Sequence, residues 1–208
     1  MNLKEKQLQI GKIKKAILRL KNSPFYKERI KNNYIPVVGE GSLNAKIIFI
    51  GEAPGKNEAM SGKPFCGMSG KVLDRLLDSI NLDREDIYIT NIVNDRPPKN
   101  RDPKPKEIEM YSKFLDRQIG IIQPKIIATL GRFSAEYIMN RFNIGDKFEE
   151  ISKLHGKSFK INLNKDKKRG KKIIIIPLFH PAVAIYNRKR LPELKKDFKK
   201  MGNILSKI

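Results

Sequence analysis

Four short apolar runs constrain this chain more than any other feature: "KIIFIG" (46–51), "IYITNIV" (87–93), "KIIATLG" (125–131) and "KKIIIIPLF" (171–179). Each is continuous and bounded by turn residues, the pattern of a strand in a parallel sheet that is covered on both faces. Helical patterns lie between them. "SGKVLDRLLDSINL" places Val72, Leu73, Leu76, Leu77 and Ile80 on one face; "KPKEIEMYSKFLDRQIGII" follows the second run and "RFSAEYIMNRF" the third. Alternating strand and helix predicts an α/β domain with a mostly parallel sheet. "SFKINLN" (158–164) is expected to pair with the fourth run as a hairpin. Its connection, "KDKKRGKK", carries six basic residues and reads as a solvated tip, with phosphate contact as the sharper alternative. The basic N-terminus reads as an amphipathic helix within a helical segment, 1–35, docked on the domain. "LPELKKDFKKMGNILSKI" reads as a closing helix. No repeat or dividing linker is visible, so residues 1–208 are expected to form one domain.

The 208 residues are enough for a substantial core, built without Trp from Ile, Leu, Val and ten Phe. The net charge is +22, from 44 basic against 22 acidic residues. A Lys-rich solvated surface would account for part of this. The functional reading is a polyanion partner, because phosphate attraction dominates sequence-independent nucleic-acid binding. Cys66 is the one cysteine. It allows no internal disulfide and no cysteine cluster for a metal, which points to an intracellular, cytoplasmic protein. No apolar run approaches the roughly 20 residues of a membrane span.

In open α/β sheets, ligands bind beyond the carboxyl ends of the strands. That rule selects Gly51-Glu52, Asn91 to Pro98, Gly131 and His180-Pro181. Each has a bland reading. Glu52 could cap a turn, Asn91 could bond backbone, His180 could be a satisfied core histidine, and Phe65 could be loop packing. "GEAPG" is no phosphate loop, since it lacks the Gly-Lys-Ser/Thr ending. Together, a carboxylate, an amide, an imidazole and an aromatic ring at one sheet edge of a basic protein suit a pocket for a flipped base.

"GEAPGKNEAMSGKPFCGMSGKVLDRLL", "IYITNIVNDRPPKNRDP", "PKIIATLG" and "HPAVAIYN", in this order and spacing, resemble the family 4 uracil-DNA glycosylases. The resemblance runs from about Gly39 to Ala184. It implies an α/β/α sandwich with a central four-stranded parallel sheet, and excision of uracil from single- or double-stranded DNA by a monomer. It also implies roles. Glu52 and Ala53 occupy the water-activating motif, and Gly51 and Ala53 are expected beside the uracil; Glu52 is the candidate for positioning water and stabilising the sugar cation. Gly55 lies where other uracil glycosylases use a bulky ring against the thymine methyl. Phe65 matches the ring that stacks on uracil. Asn91 matches the amide that pairs with N3–H and O4, a pattern cytosine inverts. His180 matches the histidine that bonds O2 of the departing uracil anion. The loop Ala182 to Asn187 matches the segment that enters the duplex, with Ile185 and Tyr186 as wedges, and Pro181, Arg188 and Lys63 are further expected DNA contacts. No β-lyase lysine is assignable.

The chain departs from that family's usual pattern at the four cluster positions and in two smaller ways. The family usually carries a four-iron, four-sulfur cluster on four cysteines; the matching residues here are Leu20, Ser23, Asp95 and Tyr111. None is a thiolate, so a cluster-free relative is expected, with Leu20, Phe25, Tyr111 and Phe114 packed in the cluster's place. Ala59 replaces a usual acidic residue after Glu58, and Tyr186 stands near a usual arginine. His155 is expected to be structural or to contact DNA. Two alternatives stay open: a non-enzymatic damage-sensing protein on this scaffold, and a glycosylase for hypoxanthine or xanthine.

Overall fold

The computed structural model describes residues 1–163 and 172–208. Except for Lys172, the basic connection of the expected hairpin lies outside the described residues.

The strands are β1 (Glu40–Gly41), β2 (Ile47–Gly51), β3 (Tyr88–Asn91), β4 (Ile126–Leu130), β5 (Phe159–Asn162) and β6 (Lys172–Leu178). They form one sheet in the order β1-β3-β2-β4-β6-β5. The four inner strands run parallel to one another, and they fall on the four apolar runs. The short β1 and the hairpin strand β5 add an antiparallel edge on each side. β5 was legible from its alternation. β1, with two exposed residues, has no periodicity to read.

The helices are α1 (Leu3–Leu18), α2 (Tyr26–Lys31), α3 (Lys56–Ser61), α4 (Met68–Asp78), α5 (Pro105–Ile122), α6 (Arg132–Arg141), α7 (Ile151–Leu154), α8 (Val183–Tyr186) and α9 (Leu191–Leu205). Successive side chains of a strand point to opposite faces, so each buried strand feeds two cores. Ile48 and Ile50 of β2 join Ile13 and Ile17 of α1, Tyr111 and Leu115 of α5, and Ile138 of α6. Ile47 and Phe49 join Leu73, Leu76 and Leu77 of α4 and Phe198 and Met201 of α9. The result is a three-layer α/β/α sandwich. A capping box starts α1, with Asn2 Oδ1 accepting from the Glu5 N–H (3.0 Å) and Glu5 returning to the Asn2 N–H (2.9 Å). No helix among the described residues is long and apolar enough to cross a membrane.

The layers matter for function because they fix where the inner strands end. Gly51 pairs with Asn91, and Leu130 with Leu178, so the four exits open at one edge. The second apolar run stops being a strand at Asn91. Ile92 and Val93 instead donate to the carbonyls of Gly51 (3.0 Å) and Glu52 (3.1 Å), which locks the two neighbouring exit loops together.

Candidate active site

β2 delivers Gly51 and then Glu52 to the sheet edge. The chain turns through Pro54 into α3, whose preceding residue is Gly55. Left-handed Gly62 (φ 73°) stops α3, and Phe65 itself adopts a left-handed conformation (φ 48°). A bulky residue there is held against its backbone preference by its surroundings. Two of the restraints are visible. Arg84 donates to the Pro64 carbonyl (2.5 Å) while pairing with Asp74 of α4 (2.8 Å). Gly70 lets α4 approach so closely that a Cβ there would lie 1.7 Å from the Phe65 carbonyl oxygen. Glu58 Oε1 accepts from the Gly67 N–H (3.1 Å) and so closes the two ends of the loop on each other.

These turns and the other strand exits enclose a cavity of about 310 Å³. Glu52, Ala53, Gly55, Phe65, Asn91, His180, Ala182 and Tyr186 all line it. Gly51 sits directly beneath: a Cβ there would lie 2.3 Å from Asn91 Oδ1 and 2.9 Å from the Phe65 ring. Asn91 is 2% exposed. The Phe65 and His180 rings face each other with centroids 5.7 Å apart. Of the other residues expected to matter, Pro181 is buried and Ile185 half-buried, both outside the cavity lining; Lys63 and Arg188 are on the exposed surface. Tyr186 is 89% exposed at the rim.

The protonation of His180 follows from one hydrogen bond. The Ala182 backbone N–H can only donate, and it donates to His180 Nδ1 at 3.2 Å. Burial pushes the imidazole down to about 4, against a smaller opposing effect of Glu58. The ring is therefore neutral at physiological pH and carries its proton on Nε2. Glu52 moves the other way. Burial pushes its carboxyl up to about 7; the charge of Asp102 adds to the rise, and the Arg132 guanidinium opposes it.

Asp102 belongs to a wall that the motif reading left without a role. Pro97, Asn100, Arg101 and Asp102 line the cavity, and Glu58 and Ser69 line it as well. Lys99 and Asn100 are both left-handed (φ 55° and 58°). Arg101 holds this wall. It makes two bonds to Glu107 of α5 (2.6 and 2.8 Å), and Glu107 also accepts from the Lys104 N–H (2.7 Å). The Arg101 hydrogen bonds keep the Glu107 carboxyl below the usual range. The sequence signal was present in "RPPKNRDP", but its prolines and charges look like any exposed turn.

A profile of the uracil DNA glycosylase superfamily matches residues 38–205. Over 179 residues the chain is 43% identical to the type-4 uracil-DNA glycosylase of Archaeoglobus fulgidus, spanning 86% of this chain and 85% of that one. The chain belongs to the type-4 uracil-DNA glycosylases. The enzyme of that name from Sulfurisphaera tokodaii is 44% identical over 196 residues, covering 94% of this chain and 84% of its own. That of Saccharolobus solfataricus is 46% identical over 179 residues, covering 86% and 79%.

The family resemblance implies an iron–sulfur cluster, and the residues of this chain do not fit one. The positions matched to its cysteines do converge. Ser23 Oγ and Tyr111 OH are 2.7 Å apart, Tyr111 OH donates to Asp95 Oδ2 at 2.5 Å, and Leu20 packs against the same core. These hydroxyl, phenol and carboxylate groups already satisfy one another, and an aliphatic chain fills the fourth place. Cys66 is exposed, bonded to Ser61 in the Gly-rich loop. Among the described residues, no group of three or more His, Cys, Asp or Glu could hold a metal ion. Aromatic packing at this place was expected and is present: Phe25 stacks on Tyr111 (5.8 Å) and Phe114 meets Tyr111 edge-on (6.2 Å). The polar network was not expected.

Proposed function

We propose that this chain hydrolyses the bond between uracil and deoxyribose in DNA, leaving an abasic site, and does so without an iron–sulfur cluster. The observation that carries the reading is the convergence of Phe65, Asn91, His180 and Glu52 on one cavity, with the His180 imidazole neutral and its Nε2–H free of the Ala182 backbone bond. The flipped base stacks on Phe65. The Asn91 carboxamide accepts from N3–H and donates to O4 of uracil; cytosine presents the reverse pattern and is refused. As the C1′–N1 bond breaks, its electron pair passes to the uracil ring and spreads to O2, where Nε2–H of His180 donates to the developing anion. A neutral donor suits this step, because it stabilises the anion without transferring a proton to it early.

Glu52 then faces a sugar with oxocarbenium character. Its carboxylate stabilises the positive charge and orients a water whose oxygen bonds to C1′; the water proton leaves to Glu52 or to solvent. The base departs as the uracil anion and is protonated from solvent. Every step uses side chains and water. The thymine methyl meets no bulky ring at Gly55, where a Cβ would touch only the movable carboxylate of Glu58. Rejection of thymine therefore falls to the remaining walls.

The DNA partner is supported by the net charge of +22 and by Tyr186, the exposed aromatic at the cavity rim. We assign Tyr186 the wedge role in preference to Ile185, which is half-buried. Incubation with a labelled uracil oligonucleotide followed by alkali is expected to cleave the strand at the uracil. Absence of cleavage would sink the proposal, and tight binding without base release would favour the damage-sensing alternative.

A further inference from the structure

Behind the pocket wall, residues from three distant parts of the chain meet in a buried polar chain. Ser23 lies between α1 and α2, Arg29 in α2, Asp95 in the loop after β3, and Tyr111 in α5. None is more than 6% exposed. Beyond the Ser23–Tyr111–Asp95 bonds, Asp95 pairs with Arg29 at 3.0 Å. Arg29 also donates to the carbonyls of Ile17 (3.1 Å) and Leu18 (3.0 Å) at the end of α1. Such a network is costly to bury and rigid once every member is satisfied. Burial raises the Asp95 carboxyl, while Tyr111 and Arg29 pull it back toward the charged form.

The network reaches the pocket by two routes. Asp95 stands two residues before Pro97, the first residue of the wall. Tyr111 stacks on Phe25, and the Arg101 guanidinium lies over Phe25, 5.7 Å from its ring centroid. Arg101 in turn donates to the carbonyl of Asp102 (2.9 Å). We propose that the Ser23–Tyr111–Asp95–Arg29 network is a positioning element for the glycosylase pocket. It holds the 95–102 wall, and with it Asp102, toward Glu52 by hydrogen bonds at the place where the resemblance puts metal–thiolate bonds. The inference rests on the glycosylase reading for its kinetic consequence and on the geometry alone for its mechanical one.

Tyr111→Phe removes the shared hydroxyl and keeps the ring stack. Phe198→Ala, in the opposite core against Phe49, serves as a stability control. Hydrogen–deuterium exchange of the full chain is expected to show the amides of Arg96 and residues 99–102 exchanging about tenfold faster in Tyr111→Phe, the scale of one lost buried hydrogen bond, with the inner strands unchanged. Phe198→Ala loosens the sheet instead. The pH profile for uracil release supplies the second readout. Glu52 faces Asp102, Arg101, Glu58, His180 and Arg132. Displacing Asp102 moves the acid limb to lower pH in Tyr111→Phe, and Phe198→Ala leaves that limb in place. Unchanged local exchange in Tyr111→Phe overturns the proposal, whether or not the wild type releases uracil. If the wild type is active, an unmoved acid limb also overturns it. An inactive wild type with the expected exchange pattern counts against the glycosylase reading alone.

Discussion

Gly51 and Asn91 are register partners at the carboxyl ends of β2 and β3, and the missing side chain of one makes room for the other. A Cβ on Gly51 would lie 2.3 Å from Asn91 Oδ1 and 2.9 Å from the Phe65 ring. Gly51→Ala is therefore expected to displace both the amide and the ring. Overpacking of this kind destabilises by about 1–3 kcal/mol. Uracil release is expected to fall far more than thermal stability does, because both base-contacting groups move. Equal release rates for Gly51→Ala and wild type would show that the two side chains do not hold the base.

Asn91→Ala and His180→Ala each remove one positioned hydrogen-bonding group. Loss of a donor aimed at developing negative charge costs about 10²–10³ in kcat, and this range is expected for His180→Ala, read by single-turnover release of uracil. Because burial pushes His180 down to about 4, its protonation causes no loss of activity above pH 5. The same depression sets a sign for stability. The unfolded chain takes up a proton near pH 6.5 that the folded state refuses until about 4, so this contribution to stability is present above pH 6.5 and falls as pH drops between those values.

Glu52 sets the acid limb. With its carboxyl at about 7, the ionised form grows in as pH rises through neutrality, and kcat/KM is expected to rise with it. Asp102→Asn removes the charge that adds to this rise, so the limb moves to lower pH; Arg132→Ala removes an opposing charge and moves it higher. Glu52→Gln abolishes the limb. The folded pKa is raised, so the favourable contribution to stability is present below pH 4.5 and is lost as pH rises through about 7. A pH–rate profile unaltered by Asp102→Asn would remove Asp102 from the account.

Tyr186, 89% exposed at the cavity rim, has little to contribute to folding. Tyr186→Ala is expected to change the unfolding free energy by no more than about 0.5 kcal/mol. Kinetically, it should slow release from duplex DNA more than from a single strand, since only the duplex needs a wedge to fill the gap left by the base. Equal slowing on both substrates would count against the wedge role.

The central sheet was legible because both of its faces are buried, which forces continuous Ile-rich runs. Glu52 and His180 were legible for the same reason, since a polar residue directly after such a run has one place to go, and Asn91 was legible as the one amide interrupting its run. The wall containing Arg101 and Asp102 was quoted among the motifs but given no role. Its prolines and charges look like any surface turn until Glu107 and Phe25 are seen to hold Arg101.

The sequence by itself determined the order of strands and helices, the edge of the sheet that carries the polar exits, and the absence of four thiolates for a cluster. Only the tertiary structure decided what occupies that place. Ser23, Arg29, Asp95 and Tyr111 are separated by up to 88 positions, and each is a residue type usually found at least partly in water. Their partnership depends on packing α1, α2 and α5 against the loop after β3, which removes the water and leaves each group only the others to bond.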